Sequence, residues 1–165
     1  MMTFSTEGWA SFFAAEAGAS AALAGLLFVA LSINLQRIVA FPHLPGRAAE
    51  TLAMLVGVLI VSSVGLVPGE SMAVLGVQYV IAGAVIWLFP TVNHLRRAAL
   101  PRVTETWRVV MSVVLAQAAT LPIIVAGVLL LAGHPSGLYW LVAGVIFSLI
   151  ASVLNAWILL VEIIR

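Results

Sequence analysis

The chain has 165 residues, of which 64% are hydrophobic and 8% charged, with a formal net charge of +1 and a mean hydropathy of +1.22. A soluble domain carries about a quarter charged residues, so this inventory cannot clothe a water-facing surface and the bilayer is the expected solvent. Cysteine, lysine and aspartate are absent, which excludes disulfides, thiolate metal sites, cysteine nucleophiles and aspartyl dyads, and the charge balance leaves no electrostatic footprint for nucleic acid.

The segment before the first apolar run lacks a basic n-region. Its first charge is Glu7, and the run that follows is too long for the core of a cleavable signal, so the first helix is expected to stay in the mature protein. A hydrocarbon core about 30 Å thick needs about 20 apolar residues as helix. Five stretches meet that length, at approximately 12–35, 49–67, 72–92, 107–132 and 137–161. The expected fold is therefore all-α, a single integral membrane domain over 1–165 built as a bundle of five transmembrane helices. Turn chemistry separates the stretches: Phe41 to Gly46 with Pro42, His43 and Pro45, then Pro68-Gly69, Leu100-Pro101, and Gly133 to Gly137. Two of these breaks are so short that stretches two and three, and four and five, must be antiparallel hairpins.

Arginine placement gives an orientation. Arg37 and Arg47 lie in the first connection, Arg96, Arg97, Arg102 and Arg108 in or beside the third, and Arg165 at the end of the chain. All cations thus fall on one side, which the positive-inside rule makes the cytoplasm. The N-terminus is expected outside and the C-terminus inside, with Trp9, Tyr139 and Trp140 at the outer interface and Trp107 at the inner one. The spacing of Asn34, Arg37, Ala40 and Pro42 matches that of Asn93, Arg96, Ala99 and Pro101. The match has two readings: a duplicated helical hairpin, or the common way a helix exits to the cytoplasm.

Lipid tails are as apolar as leucine, so membrane helices associate where small residues let backbones approach. The first stretch places Ser11, Gly18, Gly25 and Ser32 at intervals of seven, flanked by Ala14, Ala21 and Ala22. The third carries Gly76, Gly83 and Pro90, the fifth Gly144, Ser148 and Ser152, and the second Ala53, Gly57 and Gly65. Either these seams only build the monomer, or one of them, that of the first stretch, joins protomers or a partner.

Three sets of polar residues are candidates for chemistry. Glu16 lies 21 residues before Arg37, about 31 Å along a helix, so it belongs at the outer boundary with Glu70 and His134. There the three could gather around a proton or a divalent cation, or stand as unrelated interfacial groups. Near the inner boundary lie Asn34, Glu50, Asn93, His94, Asn155 and Glu162, as helix-to-helix glue or as the lining of a vestibule. At mid-membrane, Pro122 deprives the Ala118 carbonyl of its partner and should kink the fourth stretch. Gln117 and Thr120 beside it would form a gate or a structural patch. No HExxH helix, G-x-S-x-G elbow or phosphate-cradling loop is present, so the expectation is a protein that is not an enzyme and has no metal or cofactor site.

The run "GASAALAGLLFVALSINLQRI", with "LPGRAAETL", "VSSVGLVPGES" and the ending "GLYWLVAGVIFSLIASVLNAWILLVEIIR", resembles a small bacterial five-helix membrane-protein family whose members are labelled "modulator of FtsH protease". The resemblance covers nearly the whole chain and implies an accessory role beside a membrane protease, in the bacterial cytoplasmic (inner) membrane. It supplies no catalytic or binding residue. Sequence and resemblance together lead to a non-catalytic accessory, modulatory or assembly subunit that works by helix packing, as a homo-oligomer or in a larger membrane complex. The alternative is a homo-oligomeric ion channel or small transporter. Its path would run along the kinked fourth stretch, with Gln117, Thr120 and Pro122 as gate and Asn34 or Asn155 at the mouth.

Overall fold

In lipid every backbone N–H and C=O must be satisfied within its own segment, and each apolar stretch accordingly folds as helix. The computed structural model describes residues 7–41, 44–98 and 106–164. Pro42, His43, Ala99, Pro101, Arg102 and Arg165 lie outside the described residues. A 3₁₀ turn, Glu7–Trp9, leads into α1 (Ala10–Ile33), and the short α2 (Leu35–Ala40) follows. The remaining helices are α3 (Leu44–Gly65), α4 (Met72–Ala98), α5 (Thr106–Leu131) and α6 (Gly137–Ile164). Five of them, α1, α3, α4, α5 and α6, are long and apolar enough to cross a membrane, as the composition predicts for a multi-pass membrane protein. Among the described residues there is no strand.

Three boundaries depart from the sequence reading. Asn34 interrupts the first helix: its side-chain amide donates to the Ala30 carbonyl at 2.9 Å, and the chain restarts as α2 one residue on. Pro45 and Gly46, expected in a loop, sit in the first turn of α3, where a missing N–H leaves no bond unmade. α4 runs past Asn93 to Ala98 with Pro90 inside it. Asn34 therefore stands at a helix break, whereas Asn93 and Arg96 lie within a continuous helix.

The helices α3, α4, α5 and α6 pack in a closed ring in which each touches the next and α6 returns to α3. This is a four-helix bundle with short hairpin connections. Its core holds Val58, Val61, Leu75, Tyr79, Ile123, Ala126, Leu130, Leu138, Leu141 and Val145. Gly69 and Gly133 adopt φ of +76° and +83°, conformations that only glycine takes freely. At Gly133 the turn closes α5 as a Schellman motif, with His134 N–H on the Leu129 carbonyl and Gly133 N–H on that of Leu130.

Close approach is built from glycine. A Cβ on Gly127 would stand 2.7 Å from Val80 N and 2.8 Å from the Gly76 carbonyl, and one on Gly76 would stand 2.9 Å from the Gly127 carbonyl. The backbones of α4 and α5 thus touch through two facing glycines. Gly83 and Gly144 press in the same way on Ile124 and Ile123 of α5, and Gly57 of α3 on Ile86. Gly57, Gly76, Gly83 and Gly144 of the expected seams are joints of the ring, whereas Gly65 of α3 receives Phe13 of α1.

α1 stands outside the ring, against α3, with slight contact to α6. Only 6% of its most apolar stretch is buried in the bundle, against 56% for α3. Its anchor is Phe13, fully buried, whose ring lies 2.7 Å from where a Gly65 Cβ would be. Trp9 extends the anchor, meeting Phe12 edge-on and crossing Tyr139 at the start of α6 with ring centroids 5.1 Å apart. At the opposite, Arg-bearing end, Ile38 of α2 packs with Leu44, Ala48 and Leu159, and Arg47 pairs with Glu162 at 3.1 Å to tie α3 to α6.

Candidate functional site

Which face α1 turns to the bundle follows from its periodicity. Residues seven apart differ by only about 20° around a helix, so Ser11, Gly18, Gly25 and Ser32 form one stripe. Phe13, Ser20, Leu27 and Asn34 lie two residues after them, about 200° round the helix, and these are buried or half-buried against the neighbouring helices. The whole small-residue stripe is exposed, together with Ala14, Ala21 and Ala22. It faces directly away from the molecule.

Nothing lies within 4 Å of a Cβ built on Gly18 or Gly25. That sets them apart from Gly57, Gly76, Gly83, Gly127 and Gly144, each of which has a neighbour within 3 Å. Glycine inside a helix costs about 0.8–1.0 kcal/mol relative to alanine, and in the ring that cost is offset by close packing. On α1 no such return exists within one chain. The stripe is also chemically quiet: Ser32 donates back to the Phe28 carbonyl at 2.8 Å. Its flanks are large and apolar, with Leu26 70% and Phe28 63% exposed. Small residues along the stripe let another helix approach closely.

The residues read as a gate or a structural patch are engaged inside the bundle. Gln117 accepts the Trp87 indole N–H at 2.6 Å and its amide donates to Thr91 at 3.4 Å, a bridge from α5 to α4. Thr120 is fully buried and donates to the Ala116 carbonyl of its own helix at 2.8 Å. Beside Pro122, Ser148 reaches from α6 to the Ala119 carbonyl at 3.2 Å, and Ser152 turns back to Ser148 at 2.7 Å. The polar centre therefore fastens α4, α5 and α6 together. Leucine at Gln117 would leave the indole N–H of Trp87 unpaired, and a loss of about 0.6–1.7 kcal/mol is expected for such an interhelical bond in a membrane. Thermal unfolding of the Gln117→Leu variant in detergent measures it.

At the Arg-bearing end, a groove of about 420 Å³ lies between α5 and α6, lined in part by Arg47, Ser112, Leu115, Asn155, Trp157 and Glu162. Asn155 thus meets this groove, and Asn34 binds its own helix.

The outer trio does not assemble. Among the described residues no three His, Asp or Glu side chains gather as a metal would require. His134 is exposed in its turn, Glu16 is half-buried on α1, and Glu70 accepts from Gln78 at 2.9 Å. Three residues that the structure makes prominent escaped the sequence reading. Gly127 had a signal in the small positions Ala116, Ala119 and Ala126 of the same helix, whereas Trp87 and Gln78 sit on otherwise apolar faces without any. Comparison with protein-family models, curated proteins and solved structures gives no match to this chain.

Proposed function

We propose that this protein is a non-catalytic assembly subunit of a bacterial cytoplasmic membrane, which docks another transmembrane helix on the outward face of α1. The orientation is N-terminus outside and C-terminus cytoplasmic, supported by arginines confined to one side. The observation that carries the reading is the pair Gly18 and Gly25, which stand in open space on a helix outside a complete four-helix ring. The ring accounts for a stable fold without α1's outer face, which leaves that face for a second copy or a subunit of a larger membrane complex. The resemblance to proteins labelled as modulators of a membrane protease makes such a protease the first complex to examine.

A conducting path has less support. Gln117 has its hydrogen-bonding groups engaged between helices and Thr120 donates within its own helix, and most of the side chains in the core of the ring are apolar.

The test is the mass of the particle extracted from its own membrane in native nanodiscs. One chain weighs 17.4 kDa. The expected particle holds further polypeptide, either copies of the chain or another protein. A particle with a single copy and nothing else overturns the proposal.

A further inference from the structure

We propose that the groove between α5 and α6 holds a zwitterionic aminophospholipid, with its phosphate on Arg47 and its ammonium on Glu162. The groove measures about 420 Å³. That lies within the range of small-molecule sites, about 300–1,000 Å³, and the groove shares their make-up of apolar walls with a few polar groups. Met111 and Leu115 of α5 line it together with Leu154, Ile158 and Val161 of α6. The Arg47–Glu162 pair, joined at 3.1 Å, lines it too. Leu154 stands eight residues before Glu162, about 12 Å away along α6, so the charged pair marks one end of an apolar track. Both ions keep an accessible side, with side chains 19% and 29% exposed. In a chain whose five long helices are apolar enough to cross a membrane, such a track sets a charge pair at headgroup level and apolar residues at acyl-chain level. Exposed Trp157 beside it is of the residue type that settles at the membrane interface.

The lining selects the occupant. Membrane helices approach closely where residues are small, whereas Met111, Leu154, Trp157 and Ile158 are large and exposed. A flexible acyl chain fits between side chains of that kind. The ion pair selects the headgroup. Arg47 and Glu162 are neutral as a pair, so a lipid of net negative charge would bring a charge without a counterpart into a poorly solvated place. An aminophospholipid carries a charge of each sign. Its phosphate accepts from the planar guanidinium, which has N–H donors on three nitrogens and uses Nη1 for Glu162. Its ammonium donates to the carboxylate, whose two oxygens each accept at more than one position. A choline headgroup matches the charges but has no N–H to donate. The site lies apart from the outward face of α1 and does not depend on the docking role of that face.

The test is native mass spectrometry of the purified chain in detergent with an equimolar mixture of dioleoyl phosphatidylethanolamine, phosphatidylcholine and phosphatidylglycerol. The expected result is a single retained lipid, with phosphatidylethanolamine favoured about fivefold or more over each of the others. Glu162→Gln removes the partner of the ammonium and leaves Arg47 uncompensated, so the preference should pass to phosphatidylglycerol. An ion pair that only ties α3 to α6 predicts no such exchange. Should that variant fail to fold, Trp157→Ala takes away an exposed wall of the groove. It should lower phosphatidylethanolamine retention about threefold or more. Equal retention of the three lipids, or no retained lipid because a helix of another polypeptide fills the groove, would overturn the proposal. So would retention unaltered in the variant measured.

Discussion

Replacing Gly18 and Gly25 together by leucine is expected to abolish association while leaving the chain folded. The two halves of that result have separate physical causes. Leucine side chains at these positions meet nothing within the monomer, since no atom lies within 4 Å of either added Cβ. Leucine is also a better helix former than glycine by close to 1 kcal/mol per site, so unfolding temperature should hold or rise. At an interface the same side chains would stand between two backbones that small residues bring together. A tenfold weakening corresponds to about 1.4 kcal/mol, and two leucines in a close-packed seam should exceed it. Particle mass and thermal unfolding, measured on one preparation, read the two halves.

Gly127→Val is expected to do the reverse and damage the fold itself. Its Cβ would fall 2.7 Å from a backbone nitrogen and 2.8 Å from a backbone carbonyl of α4. Neither neighbour is the end of a flexible side chain, so α4 and α5 must separate. Overpacking of this kind costs about 3 kcal/mol, and the joint is the one where two glycines face each other. Because Gly76 shares that contact, the losses should not add. Once one alanine has parted the helices, Gly76→Ala with Gly127→Ala should cost clearly less than the sum of the single changes. Unfolding in detergent, with yield from the membrane as a second readout, checks both.

The contrast between these glycines shows what the sequence made legible. Composition and run length were enough for five helices, because the bilayer leaves so few other solutions. The seams were visible as well, since glycine at regular spacing inside an apolar run is costly without close packing. Their partners were not visible. Ser11, Gly18, Gly25 and Ser32 repeat as regularly as Gly76 and Gly83, yet one stripe faces outward and the other lies against α5. That difference depends on which helices close the ring, a property of the tertiary fold. Phe13 held the only local hint, because its partner Gly65 is small enough to receive a ring.

Polar residues were harder to read than small ones. Gln117 lies near the middle of α5, and its partners Trp87 and Thr91 lie on another helix, 30 and 26 residues away. Depth alone left two readings of Glu16, Glu70 and His134, a cluster or unrelated interfacial groups, because depth says nothing of azimuth around the bundle. Glu70 turned instead to Gln78, on the helix it precedes. Asn34, read as helix-to-helix glue or as the lining of a vestibule, instead bonds locally, its short amide reaching the carbonyl one turn back.

The natural absence of cysteine makes one experiment especially clean. Single cysteines at Ser11, Gly18 or Gly25 would report contacts of the outward face of α1 by cross-linking in the native membrane. Cysteines at Ile81 and Val114, which are 59% and 55% exposed on other helices, supply the comparison. If α1 docks another helix, the first set should cross-link efficiently, to a second copy or to one other polypeptide, and the second set should not. Equal cross-linking from both sets, or none from α1, would contradict a docking role for that face.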